Sequence, residues 1–194
     1  MKEGKSLDED GIAAEHFHNA PIVFLLRLTT LFDSMLRHAF VPQQFRKGLM
    51  FPLVKDNNGN RADVNNYRGI TISPIASKVF EHVLKILFGS FLETSQNQFG
   101  FKKDSSTIHA LHCVKGIVNY YVNNESRVFC AFLDASKAFD RIVHAGLFLK
   151  LIRRKVPFVF LAVIISWYDG LKCRVRWEDH FSDWFAVTAG VRQG

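Results

Sequence analysis

Apolar residues recur at near-helical spacing in two long stretches. Between positions 21 and 40 the set is Ile22, Leu25, Leu26, Leu28, Phe32, Met35, Leu36 and Phe40, which predicts an amphipathic helix with Pro21 at or near its first turn. Between 74 and 92, Pro74 stands near the start of a second helix, with Ile75, Val79, Val83, Leu84 and Leu87 on its buried side. Ser105 or Ser106 is placed to cap a third, running to about Asn123. Positions 146–155 continue a fourth into the basic cluster Arg153, Arg154 and Lys155, and 158–168 form a short fifth. The apolar run 156–167 contains Pro157 and falls short of the ~20 residues a membrane span needs, so it reads as a core helix and no membrane partner is expected.

The strand signals are of three kinds. Positions 45–55 read as a short strand with a basic lead-in, followed by an Asn- and Gly-rich loop over 56–66. Leu171, Cys173 and Val175 alternate with Lys172, Arg174 and Arg176, which predicts a half-buried strand with a wholly basic outer face. Positions 128–133 are unbroken apolar residues rich in aromatic and β-branched types, the pattern of a strand buried on both faces. Helices and strands together predict an α+β fold.

The chain has 194 residues, enough for one domain or one and a half and for a sizeable core. Its hydrophobic and charged fractions, 48% and 22%, are those of an ordinary globular protein. A formal net charge of +7 leans toward an anionic partner, with nucleic acid foremost. Cys113, Cys130 and Cys173 are odd in number and form no C-x-x-C, which argues against a disulfide framework or zinc finger and fits a reducing intracellular compartment, nucleus or cytoplasm. His109, His112 and Cys113 lack a second ligand pair and read as helix residues. The N-terminus is charged and has no signal-peptide core.

The apolar run at 128–133 ends abruptly in Asp134. A carboxylate at the end of a buried strand needs a partner; a bound cation is one answer, and a cap on the next turn is another. Asp140 lies six positions on. On a continuous helix the two side chains would diverge by about 120°, so Asp140 reads as the N-cap of a helix starting near Arg141.

The wider segment, RVFCAFLDASKAFDRIVH from 127 to 144, resembles the first catalytic motif of reverse transcriptases. It is similar in particular to that of non-LTR (LINE-type) retrotransposons, F-x-D-x-x-K-A-F-D-x-(I/V)-x-H, with every specified position filled. Further stretches resemble that family in the same order. GKSLDEDGI at 4–12 keeps Asp10, Gly11 and Ile12, while Leu7 and Asp8 replace Pro and Gly. Pro52 to Lys55 fill P-(I/L)-x-K, with Phe45 where Trp is usual. NYRGI at 66–70 stands for N-Y-R-P-I, Gly69 loosening the expected turn. QFGFKKDSST at 98–107 fills Q-x-G-F-(R/K)-x-x-x-S-T, and the chain closes on G-x-x-Q-G at 190–194.

The resemblance implies a right-hand polymerase fragment: an N-terminal segment and fingers over 1–126, then the first part of the palm over 127–194. It implies RNA-directed DNA synthesis, a primer 3′-hydroxyl attacking a dNTP on an RNA template, with two Mg²⁺ ions held through Asp134 and the carbonyl of Ala135. Lys55 and Arg68, on a hairpin, would hold the triphosphate or else remain solvated loop charges. Phe139 would be the ring that excludes a ribose 2′-hydroxyl, and Gln193 and Gly194 would sit beside the nascent base pair. Lys102, near the template, and Lys172, Arg174 and Arg176 on the basic strand would meet nucleic acid. The family's (F/Y)-x-D-D motif does not occur, so the chain as given is expected to be inactive. A relic, a co-opted nucleic-acid-binding fragment and a group II intron-type maturase are the alternatives.

Overall fold

The structure, a computed structural model, describes Gly4 and residues 6–191. Its helices are α1 (Ala14–His18), α2 (Ile22–His38), α3 (Ile75–Phe88), α4 (Thr107–Asn123), α5 (His144–Arg153) and α6 (Phe158–Tyr168). Its strands are β1 (Lys47–Val54), β2 (Tyr67–Ile72), β3 (Lys172–Trp177), β4 (His180–Phe181) and β5 (Phe185–Ala186). The α+β class holds. The chain forms two compact units, Met1–Phe91 with Lys137–Gly194, and Leu92–Ser136.

The first unit contains a mixed five-stranded sheet in the order β2-β1-β3-β4, with β5 also on β3. β1 and β2 are the expected hairpin, antiparallel from Leu49 opposite Ile72 to Val54 opposite Tyr67. β3 joins β1 in parallel, Lys47 opposite Lys172 through Met50 opposite Val175. Residues from both sides of position 126 therefore build one sheet. Gly69 stands within β2, opposite Pro52, and not in a turn; a Cβ there would come within 2.7 Å of the Met50 sulfur.

Aromatic packing sets the core. Phe32, Phe45, Phe80 and Trp167 meet with ring centroids between 5.0 and 6.4 Å apart. The carbonyl of Phe45 accepts from Ser77 Oγ (3.2 Å) and Trp167 Nε1 (3.3 Å), so α3 and α6 are held at the entrance to β1. The Arg46 guanidinium donates to the carbonyls of Val41 and Asp169 and to Ser166 Oγ, fastening the start of β1 to the end of α6. The helix read over 158–168 is α6, with Phe160, Val163 and Trp167 buried.

One carboxylate that the sequence shows only as a departure from a motif is buried. Pro74, at the N-cap of α3, has no side-chain acceptor to offer the first turn. Asp8 supplies it from far upstream: Oδ2 accepts from Ile75 N (2.9 Å), while Oδ1 accepts from Asp10 N and Ile12 N. A negative charge at a helix N-terminus is favourable, so Asp8 pins the D-x-D-G-I segment to α3.

Four expectations are corrected. Positions 128–133 form no strand, and Leu133 is 100% exposed. A strand buried on both faces needs partners at both edges, and the described strands pair among themselves. Asp140 does not cap a helix: α5 begins at His144 with Val143 as N-cap, because Val143 is held extended by a bridge to Ala189. On α3, Leu87 is exposed and Phe80 is the fully buried residue; the last turn meets Phe160 through Phe88, centroids 4.9 Å apart, which turns Leu87 outward. On α2 only Phe32 and Met35 are buried, while Ile22, Leu25 and Leu26 are exposed.

In the second unit, α4 follows Ser106, which occupies the N-cap position as expected but makes no side-chain cap bond. His109, His112 and Cys113 are residues of α4, and the described residues contain no cluster of three or more metal-ligating side chains.

Equilibrium denaturation should separate these contributions. Phe80→Ala should cost about 3–5 kcal/mol and Asp8→Ala about 1–3 kcal/mol through the orphaned Ile75 N–H. Leu87→Ala should stay within about 0.5 kcal/mol.

Candidate active site

Within the first unit, the turn that follows the apolar run is organised by its own backbone and by a distant segment. Asp140 N and Arg141 N both donate to the Lys137 carbonyl, and Lys137 has a φ of 53°. Beyond it the chain runs extended against residues 189–191. Val191 N donates to the Phe139 carbonyl (2.9 Å), Gly190 N to the Ile142 carbonyl (2.8 Å), and Val143 bridges Ala189. Phe139 is 39% exposed. Gly190, at φ 84°, is needed here, because a Cβ would lie 2.9 Å from the Asp140 carbonyl oxygen and 3.0 Å from that of Phe139. The fold thus brings the K-A-F-D stretch onto the segment that opens G-x-x-Q-G. Gln193 and Gly194 lie outside the described residues.

The hairpin reaches the same turn. Lys55 N pairs with the Asn66 carbonyl, and Lys55 Nζ donates to the Asn65 carbonyl at 2.9 Å. Lys137 Nζ donates to Asn65 Oδ1 at 3.0 Å. Two ammonium groups therefore share one asparagine, and among the described residues neither forms an ion pair. Neutral acceptors leave both positive charges uncompensated, which favours an anion at this corner. Arg68 is exposed on β2 opposite Leu53. Lys137 was not singled out as a site residue in the sequence, although it fills the Lys of the motif; its convergence with Lys55 is a tertiary fact.

Asp134 and Ala135 belong to the second unit, where both are exposed in irregular chain. A carboxylate and a backbone carbonyl are hard oxygen donors, the chemistry Mg²⁺ takes. The donor type fits one such ion, whereas the described residues bring no three His, Cys, Asp or Glu side chains together for a fuller cage. Lys102 is likewise an exposed residue of this unit.

The basic strand is less open than its alternation implies. Lys172 is exposed, but Arg174 pairs with Glu9 at 2.7 Å, with both side chains about a quarter exposed. Its guanidinium also lies over Phe181 (4.3 Å) and Trp184 (5.0 Å). Arg176 lies over Phe51 and Phe181 and donates to the Glu178 carbonyl. Both arginines line a groove of about 770 Å³ over the sheet, shared with Leu49, Phe51 and Ile70.

Comparison with known proteins matches residues 54–194 to the family described as reverse transcriptase (RNA-dependent DNA polymerase). The chain is 33% identical, over 201 residues and its whole length, to the probable RNA-directed DNA polymerase from transposon X-element of Drosophila melanogaster, covering 22% of that protein. It is 28% identical over its whole length to the RNA-directed DNA polymerase from mobile element jockey of Drosophila funebris, covering 21% of it. It is 24% identical over 86% of its length to the retrovirus-related Pol polyprotein from type-1 retrotransposable element R2 of Nasonia vitripennis, covering 16% of it. The chain spans about a fifth of the length of these curated relatives.

The basic residues of β3 should separate on mutation. Lys172→Gln should reduce the slope of log affinity against log salt for duplex DNA by about 0.9, measured by anisotropy titration. Arg174→Gln should instead lower the melting temperature, through a loss of about 1 kcal/mol from its ion pair and ring contacts.

Proposed function

The chain belongs to the reverse transcriptase family and is related to the polymerases of non-LTR retrotransposons, and on that premise we propose that it forms the fingers and first part of the palm of an RNA-directed DNA polymerase. Its reaction is transfer of a nucleotide from a dNTP to a primer 3′-hydroxyl on an RNA template, in the nucleus or cytoplasm. The observation that carries the reading is the convergence of Lys55, from the hairpin, and Lys137, from the catalytic motif, on Asn65.

A triphosphate carries several negative oxygens, and the paired ammonium groups supply donors and charge with no carboxylate among the described residues to neutralise them. Arg68, on the strand opposite, adds a forked donor set suited to phosphate. Asp134 and the Ala135 carbonyl would hold Mg²⁺, which when bound neutralises charge on the phosphoryl oxygens. Phe139 presents an apolar ring where a ribose 2′-hydroxyl would otherwise fit, and offers it no hydrogen bond. Gln193 and Gly194 follow the segment already packed on the Phe139 turn and are assigned to the nascent base pair. Lys102 and Lys172, both exposed, are assigned to phosphate-backbone contact; Arg174 and Arg176 reach nucleic acid only from the edge of their groove.

The test is dNTP incorporation on a primed RNA template by a polymerase comprising this chain extended through the (F/Y)-x-D-D motif. Asp134→Ala should reduce incorporation to background. Lys55→Met, Lys137→Met and Arg68→Met should each raise the KM for dNTP by about tenfold, the size of one charge-assisted hydrogen bond. Retained activity in Asp134→Ala would overturn the polymerase reading. An unchanged KM in the three cation variants would remove the triphosphate assignment alone.

A further inference from the structure

We infer that His144 is a positioning residue for sugar discrimination, fixing Phe139 through the backbone of residues 189–191. The inference rests on the reading of Phe139 as the ring that excludes a 2′-hydroxyl.

The Phe139 side chain hangs from a backbone whose carbonyl is held by Val191 N at 2.9 Å. That holding is only as firm as the 189–191 segment, which is itself pinned at Gly190 from two sides. The Gly190 N–H donates to the Ile142 carbonyl at 2.8 Å. The Gly190 carbonyl lies 2.9 Å from His144 Nε2, in a partly buried contact where the ring must be the donor. Both polar groups of this one glycine are therefore taken by residues 142 and 144. A Cβ at Gly190 would strike the Asp140 and Phe139 backbones, so the segment lies as close to the turn as a chain can.

The imidazole is itself held in place. Its ring meets Tyr168 edge-on, centroids 4.7 Å apart at 77°, and Tyr168 meets Phe148 at 5.9 Å. His144 is the first residue of α5, and Tyr168 is the last of α6. The α5–α6 pair thus sets the ring, the ring sets the Gly190 carbonyl, and Val191 sets Phe139. The contact needs a hydrogen on Nε2, the ring nitrogen farther from the backbone. A side chain at 144 needs a donor at the far end of a planar group. Glutamine has one; phenylalanine keeps the ring contact and lacks the donor, leaving the Gly190 carbonyl unsatisfied.

The experiment compares dNTP and rNTP incorporation, as the ratio of kcat/KM values, in the polymerase extended through the (F/Y)-x-D-D motif, with thermal melting alongside. Phe139→Val should lower the ratio sharply. His144→Phe should lower it by about three- to tenfold, the reach of one hydrogen bond, and His144→Gln should restore it. Adding His144→Phe to Phe139→Val should change nothing further, since the ring being positioned is gone. Should His144→Phe fail to fold, Tyr168→Leu, which removes the ring orienting the imidazole, should lower the ratio in the same direction. If Phe139→Val leaves the ratio unchanged, the gate reading itself fails. If Phe139→Val lowers it while His144→Phe and Tyr168→Leu shift only the melting temperature, His144 is packing and the inference is overturned.

Discussion

The backbone carbonyl of Phe45 accepts from the hydroxyl of Ser77 on α3 and the indole of Trp167 on α6, at the place where its own ring meets Phe32 and Phe80. Two neutral hydrogen bonds are worth about 1 kcal/mol each, whereas burying the rings is worth several times more. Packing therefore supplies the stability, and the shared carbonyl supplies the orientation, since a rotated peptide would leave two buried donors unpaired. β1 begins two residues later, so its direction is fixed from this point. β2 and β3 take their places from β1, and with them the hairpin loop that carries Asn65.

The charge of the chain is distributed unevenly in function. Arg174 and Arg176 look like an exposed pair on an alternating strand, yet ion pairing with Glu9 and contact with Phe51, Phe181 and Trp184 turn them inward. Lys55 and Lys137, far apart in sequence, are met among the described residues by oxygen atoms of Asn65. A positive potential arises where cations face neutral acceptors, and it is muted where a carboxylate or a stack of rings already takes them up.

Much of the local structure was legible. The α6 boundaries, the β1 strand with the loop after it and the β3 strand followed from apolar spacing and loop composition, because each is decided by short-range pattern, whereas the hairpin with β2 came from the resemblance. The family was legible for a different reason: motifs such as D-x-x-K-A-F-D fix several residue types at fixed intervals. What failed depended on partners distant in sequence. The 128–133 run has the pattern of a buried strand and no described neighbour to bury it. Asp140 resembles a cap, but pairing of Val143 with Ala189 delays the helix. Asp8 was read as a departure from a pattern, and its contact with Ile75 N, across a gap no periodicity spans, explains why a carboxylate stands there. Likewise nothing in the spacing of Lys55 and Lys137 announces that Asn65 will join them.

Gly69 stands where the N-Y-R-P-I pattern has proline, and the space a larger residue would take is filled by the thioether of Met50 on the neighbouring strand. The two positions are coupled in volume across the hairpin. Methionine is flexible and yields more readily than a branched side chain, so it is a tolerant neighbour for such an exchange. Any residue larger than glycine at 69 has to be met by movement of the Met50 side chain, so the two positions are not free to vary in size independently.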